Sequence, residues 1–549
     1  MASFTRRSAL ALGISMPALA TLAACGASSS GATADGAPVG GGTLTYLEPQ
    51  TWTTLYPPSA GFYPNGGIVN NITDRLLHQN PETLELEPWI ATALPEVNDD
   101  ATEYTFTLRE DVTYSDGTPL DAQNVVKNFD LFGAGDAARA LTVSEAINNY
   151  DRGEVLDPVT VRFHFTAPAP GFAQAVSTLN SGLLSSATLD RDGQQFGPGN
   201  AAEIIGSGPF VIAEEQIGTQ LSLTAREDYA WAPASLQHSG RAHLDGIDIL
   251  VAAEDSVRVG TVTSGQAHLA RQIEAPDEPQ FAAEGLSLHA AATNGVNNGL
   301  NFRFRDPALE DPRIRQALIA AIDRQAIVDT LFTENYPLAT GALAATALGH
   351  VDTSEHYVHD PELAASLLEE AGWVAGADGI RAKDGQPLTL TFNEALPQPR
   401  SKEVVTLLQE QLDELGIDVQ LLPGDQAAQN AARAEPGTVQ VYHSMVGRAD
   451  FDVLKSQYAS DNRNVLLNTE PDESTGDPEL DELLGAIAST PGKEGRAEAS
   501  ATAQAHLAEQ AYILPLFEEP QVFGHTAALQ GFATESVGRP SFYDAWLEG

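Results

Sequence analysis

The chain is poor in cysteine and in basic residues, and each shortage excludes certain kinds of site or binding partner. Cys25 is the only cysteine among 549 residues, which excludes an intrachain disulfide framework and any zinc or iron–sulfur site built from several cysteines. Lysine and arginine total 29 against 75 aspartates and glutamates, so the formal net charge is −46. That charge repels phosphate backbones and anionic lipid headgroups, so we expect neither a nucleic-acid partner nor a polybasic membrane contact.

Long apolar runs are scarce as well. After residue 24 no segment approaches the roughly 18 uninterrupted apolar residues of a membrane-spanning helix. The one long apolar stretch runs from Ala9 to Ala24, directly after Arg6 and Arg7. A helix of about 16 residues spans roughly 24 Å, less than a ~30 Å hydrocarbon core, so a cleavable export signal is the better interpretation. The two arginines leave both the general secretory and the twin-arginine routes open.

The apolar stretch ends at the lone cysteine. Leu22–Ala23–Ala24–Cys25–Gly26 is similar to a bacterial lipobox, in which cleavage before the cysteine is coupled to a diacylglyceryl group on its sulfur. We therefore predict a signal peptide over 1–24 and an extracytoplasmic protein anchored to the cell membrane, or in the periplasm, by a lipid on Cys25. An ordinary signal peptide with a coincidental cysteine is the alternative. Residues 25–42 are mostly small and polar, which predicts a flexible tether.

Alternation and capping residues predict a mixed α/β body after the tether. Period-two or apolar runs predict strands at 43–47, 104–108, 159–165, 388–392, 417–421 and 512–517. Helices are predicted to begin after Asp121, at Asp311–Pro312 and at Pro361, because aspartate caps a first turn and proline suits the first helical position. The apolar stripe from Val404 to Leu415 predicts a helix between two of these strands, a β-α-β order that suits a parallel or mixed sheet.

Catalytic and metal-binding motifs are largely missing. The sequence has no G-x-S-x-G elbow, no H-E-x-x-H pair and no Walker A loop. The residues that could in principle share a metal ion are His350, His356, His359, Asp352 and Asp360. Because their segment is polar and loop-like, we expect solvated side chains there, and we predict no metal and no cofactor. With so many carboxylates an acid–base pair cannot be singled out, so an exported enzyme stays open.

Several segments together resemble bacterial extracellular solute-binding proteins of family 5, the peptide/nickel/opine class that serves ATP-driven importers. The strongest resemblance lies in VNDDATEYTFTLREDVTYSDGTPLDA, residues 97–122. Weaker matches follow in the family's order: NITDRLL at 71–77, IGSGPF at 205–210, DPRIRQAL at 311–318, AIDRQAIV at 321–328 and GRPSFYDAW at 538–546. Each match alone is modest, but their number and order cover almost the whole chain after the tether.

The resemblance implies an α/β, two-lobed periplasmic-binding-protein type II fold with an extra subdomain on the first lobe. It places the first lobe at 43–290 plus 515–549, the inserted subdomain at 81–204 and the second lobe at 291–514. A solute held between two lobes contacts both only when they close, so binding favours the closed form. The implied partners are the solute and a membrane permease with its ATPase, and we expect a monomer.

One implied contact segment is the second-lobe run 441–452. It resembles the family's glycine–arginine–x–aspartate–proline–aspartate version, except that Phe451 replaces the proline. The resemblance implies that Asp450 pairs a peptide's α-ammonium and that Arg448 pairs a carboxylate, with His443 on the strand before them. The alternative is that Arg448 and Asp450 pair with each other.

Other implied contacts come from the first lobe. Glu48, Thr51 and Trp52 follow the first strand, at a position where family members line the cleft, and Arg271 follows another predicted segment of that lobe. Trp52 could instead pack in the core, and Arg271 could be solvated.

Three functions remain open at this stage. The leading interpretation is an import receptor for oligopeptides. A receptor for another solute, such as a metal chelate, an opine or an oligosaccharide, is the second, because Phe451 departs from the family pattern. An exported enzyme, or a surface adhesion or signalling protein on the same scaffold, is the third.

Overall fold

The computed structural model describes residues 37–395, 398–424, 428, 431–432, 434–435, 437–461, 465–469 and 475–548. The predicted signal peptide, Cys25 and most of the predicted tether lie outside these residues. Within them, none of the helices is both long enough and apolar enough to cross a bilayer.

The strands of the described residues are numbered in chain order. They are β1 (Thr43–Glu48), β2 (Leu77–Gln79), β3 (Leu86–Pro88), β4 (Glu96–Val97), β5 (Glu103–Thr107), β6 (Tyr150–Asp157), β7 (Thr160–Phe165), β8 (Phe210–Gln216), β9 (Gln220–Ala225), β10 (Gly246–Val251), β11 (Leu269–Arg271), β12 (Leu286–Ala291), β13 (Gly295–Phe302), β14 (Val374–Ala375), β15 (Arg381–Lys383), β16 (Gln386–Pro387), β17 (Thr389–Asn393), β18 (Asp418–Leu422), β19 (Val441–Gly447), β20 (Ile513–Phe517), β21 (Gln521–Thr526), β22 (Leu529–Gln530), β23 (Ala533–Thr534), β24 (Pro540–Ser541) and β25 (Trp546–Leu547).

The helices alternate with these strands. The α-helices are Tyr63–Ile72, Ala122–Ala134, Phe172–Ala175, Ser186–Leu189, Asp255–Thr263, Pro312–Ala321, Arg324–Leu331, Pro361–Glu370, Ser401–Asp413, Val453–Tyr458, Val465–Asn468, Pro478–Ser489 and Lys493–Glu509. Short 3-10 helices are Pro57–Ser59, Ala137–Arg139, Leu179–Ser181, Gly193–Phe196, Ala201–Glu203, Glu278–Ala282 and Ser354–His356.

Three of the sheets among the described residues contain most of the strands. A seven-stranded sheet has the order β12-β21-β11-β1-β10-β9-β8, and a five-stranded sheet has the order β18-β17-β19-β13-β20. A separate four-stranded sheet, β4-β5-β7-β6, lies within the segment predicted as an inserted subdomain. The mixed α/β architecture predicted from the sequence is therefore confirmed.

Local sequence signals explain several element boundaries. The Asp121 carboxylate accepts a hydrogen bond from the Asn124 backbone N–H at 2.8 Å, and Asp311 caps the helix that Pro312 opens. The helix Ser401–Asp413 is followed by Gly416, whose φ of 77° falls in the left-handed region that glycine adopts without a Cβ penalty. This helix joins β17 to β18, which pair in parallel as the predicted β-α-β order requires.

The chain passes twice between the two larger sheets. It leaves the seven-stranded sheet after β12 and enters the five-stranded sheet at β13, through residues 292–294. It returns from β20 to β21 through residues 518–520. Because β20 pairs with β13, the predicted lobe boundary at residue 515 falls inside a strand of the second sheet. The lobe boundaries stay predictions.

Two large buried clusters accompany these sheets. One joins Leu44 of β1 to an aromatic group that includes Phe129, Phe163 and Phe172, whose ring centroids lie 4.9 to 5.7 Å apart. The other includes Val522 of β21 and Leu514 of β20, so apolar side chains on both sides of the 518–520 crossing share one core. The crossing is therefore packed rather than a loose linker.

Candidate functional site

The carboxyl ends of parallel strands in both large sheets face the crossings. In the first sheet β1 pairs in parallel with β10 and β11, and β11 lies antiparallel to β21, which begins directly after the 518–520 crossing. In the second sheet β17 pairs in parallel with β18 and β19, and β19 lies antiparallel to β13, which begins after the 292–294 crossing. Ligands of open α/β sheets bind outside the carboxyl ends of such strands. The region where these strand ends meet the two crossings is therefore the candidate site.

Glu48 and Arg271, at the ends of β1 and β11, form a buried ion pair. The Arg271 Nε–H lies 3.0 Å from both Glu48 oxygens, and Arg271 Nη2 also donates to Glu48. Their side chains are 6% and 5% exposed. Burial alone would lower the pKa of Arg271, but the adjoining Glu48 carboxylate outweighs it and raises that pKa. The structure thus brings these two predicted residues together, each neutralising the other, and Arg271 also donates to Gln521 Oε1 at 3.0 Å.

Thr51 and Trp52 lie beside this pair. Together with Glu48 they help to line a cavity of about 20 Å³ on the face of the first sheet, a volume that suits a single water molecule. Trp52 is buried, whereas Thr51 is exposed. The packing alternative considered for Trp52 thus matches its burial, and the ligand role of Thr51 stays a prediction.

His443 lies inside the second sheet. Its Nε2 is 2.7 Å from Asn298 Oδ1 and its Nδ1 is 3.2 Å from Ser401 Oγ. Burial lowers its pKa to about 4, so the ring is neutral at physiological pH. Both ring nitrogens have partners within the protein. Through them His443 connects β19 to β13 and to the helix that begins at Ser401.

Sequence reasoning missed a buried acid in the 518–520 crossing. Glu519 is 5% exposed and accepts a hydrogen bond from Asn298 Nδ2 at 2.9 Å. Burial raises its pKa to about 8, the nearby Glu274 carboxylate adds to the rise, and Asn298 and Arg271 oppose it. The available sequence signal was two acidic residues interrupting the apolar run ILPLFEEPQVF, at 513–523.

Arg448 and Asp450 follow β19 and pair with each other. Arg448 Nε donates to Asp450 Oδ2 at 2.6 Å and Nη2 donates to Oδ1 at 2.9 Å, with side chains 10% and 4% exposed. Among the described residues the buried Arg448 Nη1 has no hydrogen-bond partner. The pairing considered as the alternative is therefore present in the structure.

Phe451, the departure from the family pattern, has a defined place. Its buried ring lies under the Arg496 guanidinium, with 4.9 Å from the Arg496 Cζ to the ring centroid. Arg496 in turn forms a buried ion pair with Asp452. Phe451 therefore anchors the loop that carries Asp450 to the helix Lys493–Glu509.

Side chains of the first lobe reach this loop. Gln79 Nε2 donates to the Ala449 carbonyl at 2.9 Å. A methyl group added to Gly447 would come within 3.3 Å of the Tyr63 hydroxyl, so the helix Tyr63–Ile72 closely approaches the end of β19. These partners lie hundreds of residues apart in sequence, and no local pattern marks them.

The histidines considered as metal ligands have other neighbours. His350 Nε2 is 2.9 Å from Thr340 Oγ1, and His359 Nδ1 is 3.5 Å from an Asp323 oxygen. Within the described residues no group of three or more His, Cys, Asp or Glu side chains is placed to hold a metal ion.

The sequence matches the family model described as "Bacterial extracellular solute-binding proteins, family 5 Middle" over residues 85–463. The chain belongs to this family. This chain is 25% identical over 515 residues to the glutathione-binding protein GsiB of Escherichia coli O1:K1 / APEC, and the alignment covers 91% of this chain and 93% of GsiB. As a family 5 protein it is an extracytoplasmic solute-binding component of an ABC importer.

Solved structures show the fold of this family 5 protein. Helicobacter pylori DppA in complex with the peptide STSA superposes with a TM-score of 0.77 at 19% identity, covering 93% of this chain and 99% of DppA. Brucella suis NikA in complex with Fe(III)-EDTA superposes with a TM-score of 0.75 at 23% identity, covering 92% and 100%. The two-lobed fold implied by the family resemblance is thus confirmed.

Proposed function

We propose that this family 5 protein captures an oligopeptide, or a similar small solute, between its lobes and delivers it intact to the membrane permease. The observation that carries the proposal is the charged loop 447–452 at the carboxyl end of β19, which accepts a hydrogen bond from Gln79 of the first lobe and lies against the 292–294 crossing, where the Arg448 backbone N–H donates to the Asn294 carbonyl at 2.9 Å. A solute there touches both lobes only when they are closed, so its binding energy favours the closed form. The solute is bound and released without a chemical step.

The Arg448–Asp450 pair supports both predicted ligand roles. An ionised carboxylate offers about four lone-pair positions, and Arg448 takes one on each Asp450 oxygen. Asp450 therefore keeps acceptor capacity for the α-ammonium of a peptide, while Arg448 fixes its orientation. The Arg448 Nη1 group has no hydrogen-bond partner among the described residues, and it is the donor that a carboxylate or carbonyl of the solute would meet.

The ammonium role is tested with trialanine and its N-acetylated form. We expect the wild type to bind trialanine more tightly than the acetylated peptide in isothermal titration calorimetry. Asp450→Ala should weaken trialanine binding by about 30-fold or more, because loss of one partner of a buried charge contact costs roughly 2–5 kcal/mol. Asp99→Ala, on the exposed surface, is the matched control.

Two outcomes would contradict the peptide assignment. Unchanged trialanine binding by a folded Asp450→Ala variant would remove Asp450 from the site. Equal affinity of the wild type for the free and the acetylated peptide would mean that no amine is recognised.

A non-peptide solute is the second candidate function. The observation that favours it is that Asp450 already has an ionic partner in Arg448, so the charge of Asp450 is balanced without an ammonium group. Mass spectrometry of whatever stays bound after gentle purification distinguishes the two, because a retained solute lacking any free amine would favour this candidate.

We also propose that residues 1–24 are removed on export and that Cys25 carries the lipid anchor, with 25–42 as the tether and the body as a monomer. The support is the lipobox-like segment in the sequence. Metabolic labelling with radioactive palmitate should mark the wild type and not Cys25→Ser. Equal label in both would contradict the anchor.

A further inference from the structure

A buried ion pair of the second lobe lies beside the proposed binding loop. Arg496 contacts Asp452 through Nη2 and donates from Nε to the Ile487 carbonyl at 2.9 Å, and both side chains are 4% exposed or less. Phe451, under the guanidinium, belongs to the same buried cluster as Ile513 of β20. The pair is thus fixed to the body of the second lobe.

First-lobe residues from the predicted inserted subdomain contact this same pair. Arg496 Nη1 donates to Gln174 Oε1 at 2.9 Å, and Asn148 Nδ2 donates to Asp452 Oδ2 at 3.3 Å. Gly171 lies so close that an added Cβ would come within 2.2 Å of Asp452 Oδ2. Each lobe therefore supplies polar groups to one small contact.

The position of Gly171 is fixed by the packing of the first lobe. Its neighbour Phe172 is buried among Phe129 and Phe163 and shares a core with Leu44 of β1. The three atoms nearest to a Cβ at Gly171 all belong to Asp452 or Arg496. A side chain at this position therefore meets the second lobe before anything in its own lobe.

We propose that Asn148, Gly171 and Gln174 of the first lobe close on the Asp452–Arg496 pair and form a latch that holds the lobes together without a solute. The latch uses neither Asp450 nor Arg448, so it adds to the contacts that a solute makes. Because Asp452 and Asp450 lie on one loop, closing the latch also sets the position of the proposed ammonium partner. The inserted subdomain thereby acquires a role in closure.

Gly171→Val tests the latch because the atoms nearest to a Cβ at this position belong to Asp452 and Arg496 of the second lobe, so that the added side chain obstructs closure. Spin labels at Asp99→Cys and Glu482→Cys, both exposed and on opposite lobes, report the interlobe distance by pulsed electron resonance in a Cys25→Ser background without any solute. We expect a short-distance, closed population in the parent protein that falls at least tenfold in Gly171→Val. Gly260→Ala is the control, since a Cβ there meets no atom within 4 Å.

Gln174→Ala removes one hydrogen bond without adding bulk and should lower the closed population by a smaller factor. It also keeps the proposal testable if Gly171→Val fails to fold. A parent protein with only long, open distances would overturn the proposal, as would an unchanged closed population in the Gly171→Val or Gln174→Ala variant. Because the measurement contains no solute, its result is independent of the proposed peptide function.

Discussion

Glu519→Gln should make the protein more stable at alkaline pH and reduce the pH dependence of its stability. Glu519 is buried in the 518–520 crossing and its hydrogen bond comes from the neutral Asn298 amide. The charged groups that face it are Glu274, which opposes ionisation, and Arg271, which favours it but is engaged by Glu48. Glutamine keeps the shape and an acceptor oxygen for Asn298 while removing the titratable proton.

The size of this change in the free energy of unfolding follows from the raised pKa of Glu519. Burial moves the pKa of Glu519 from about 4.5 to about 8, and each pKa unit corresponds to about 1.36 kcal/mol. Ionising this group in the folded protein therefore costs on the order of 5 kcal/mol relative to the unfolded chain. The stability contribution of the neutral acid is complete below pH 4.5 and is lost as pH rises through about 8, because the native state holds the proton that the unfolded chain has released.

Urea unfolding followed by circular dichroism measures this effect. The difference in free energy of unfolding, Glu519→Gln minus wild type, should be near zero at pH 4.5 and should grow to several kcal/mol by pH 8.5. Glu82→Gln, at an exposed position, should show no such growth. A difference that stays constant across this range would refute the buried-acid interpretation of Glu519.

Two further buried groups give stability predictions. Arg271→Ala should lower the free energy of unfolding by roughly 3–5 kcal/mol, because it leaves the Glu48 carboxylate buried without its cation; urea unfolding that shows less than 1 kcal/mol would contradict the pair's importance. Asp74 accepts from the Trp231 indole at 2.7 Å and from the Tyr229 hydroxyl at 3.1 Å, and burial raises its pKa to about 6. Asp74→Asn should remove the fall in stability between pH 4 and 6, because the amide has no proton to release as the pH rises; a free energy of unfolding in urea that keeps the wild-type dependence on pH would count against it.

Short-range signals account for the parts of the fold that the sequence predicted well. Asp121 and Asp311 cap the helices expected after them, because a cap depends only on residues within one turn. The strands expected at 388–392 and 417–421 are β17 and β18, one residue later at each end. Alternation and helical spacing are properties of neighbouring residues, so they can be recognised in the sequence without the tertiary structure.

The site was less predictable because its contacts join distant residues. Glu48 and Arg271 were both proposed as ligand contacts, but their mutual pairing spans 223 residues and leaves no sequence pattern. The family likeness pointed to His443, whose ring nitrogens lie against Asn298 and Ser401, and its role as a ligand contact stays a prediction. Gly171 carries no local motif at all; its importance comes from the second-lobe carboxylate that lies against it.

The double connection between the sheets also restricts how the protein can move. Beside the crossings, Ala291 pairs with Gln521 in the first sheet and Asn298 pairs with Phe517 in the second, so the two linkers run next to each other. Two adjacent linkers of this kind favour bending about one axis over torsion of one lobe against the other. We therefore expect the lobes to open and close about one axis, which would give all closed molecules the same relative orientation of their two outer faces.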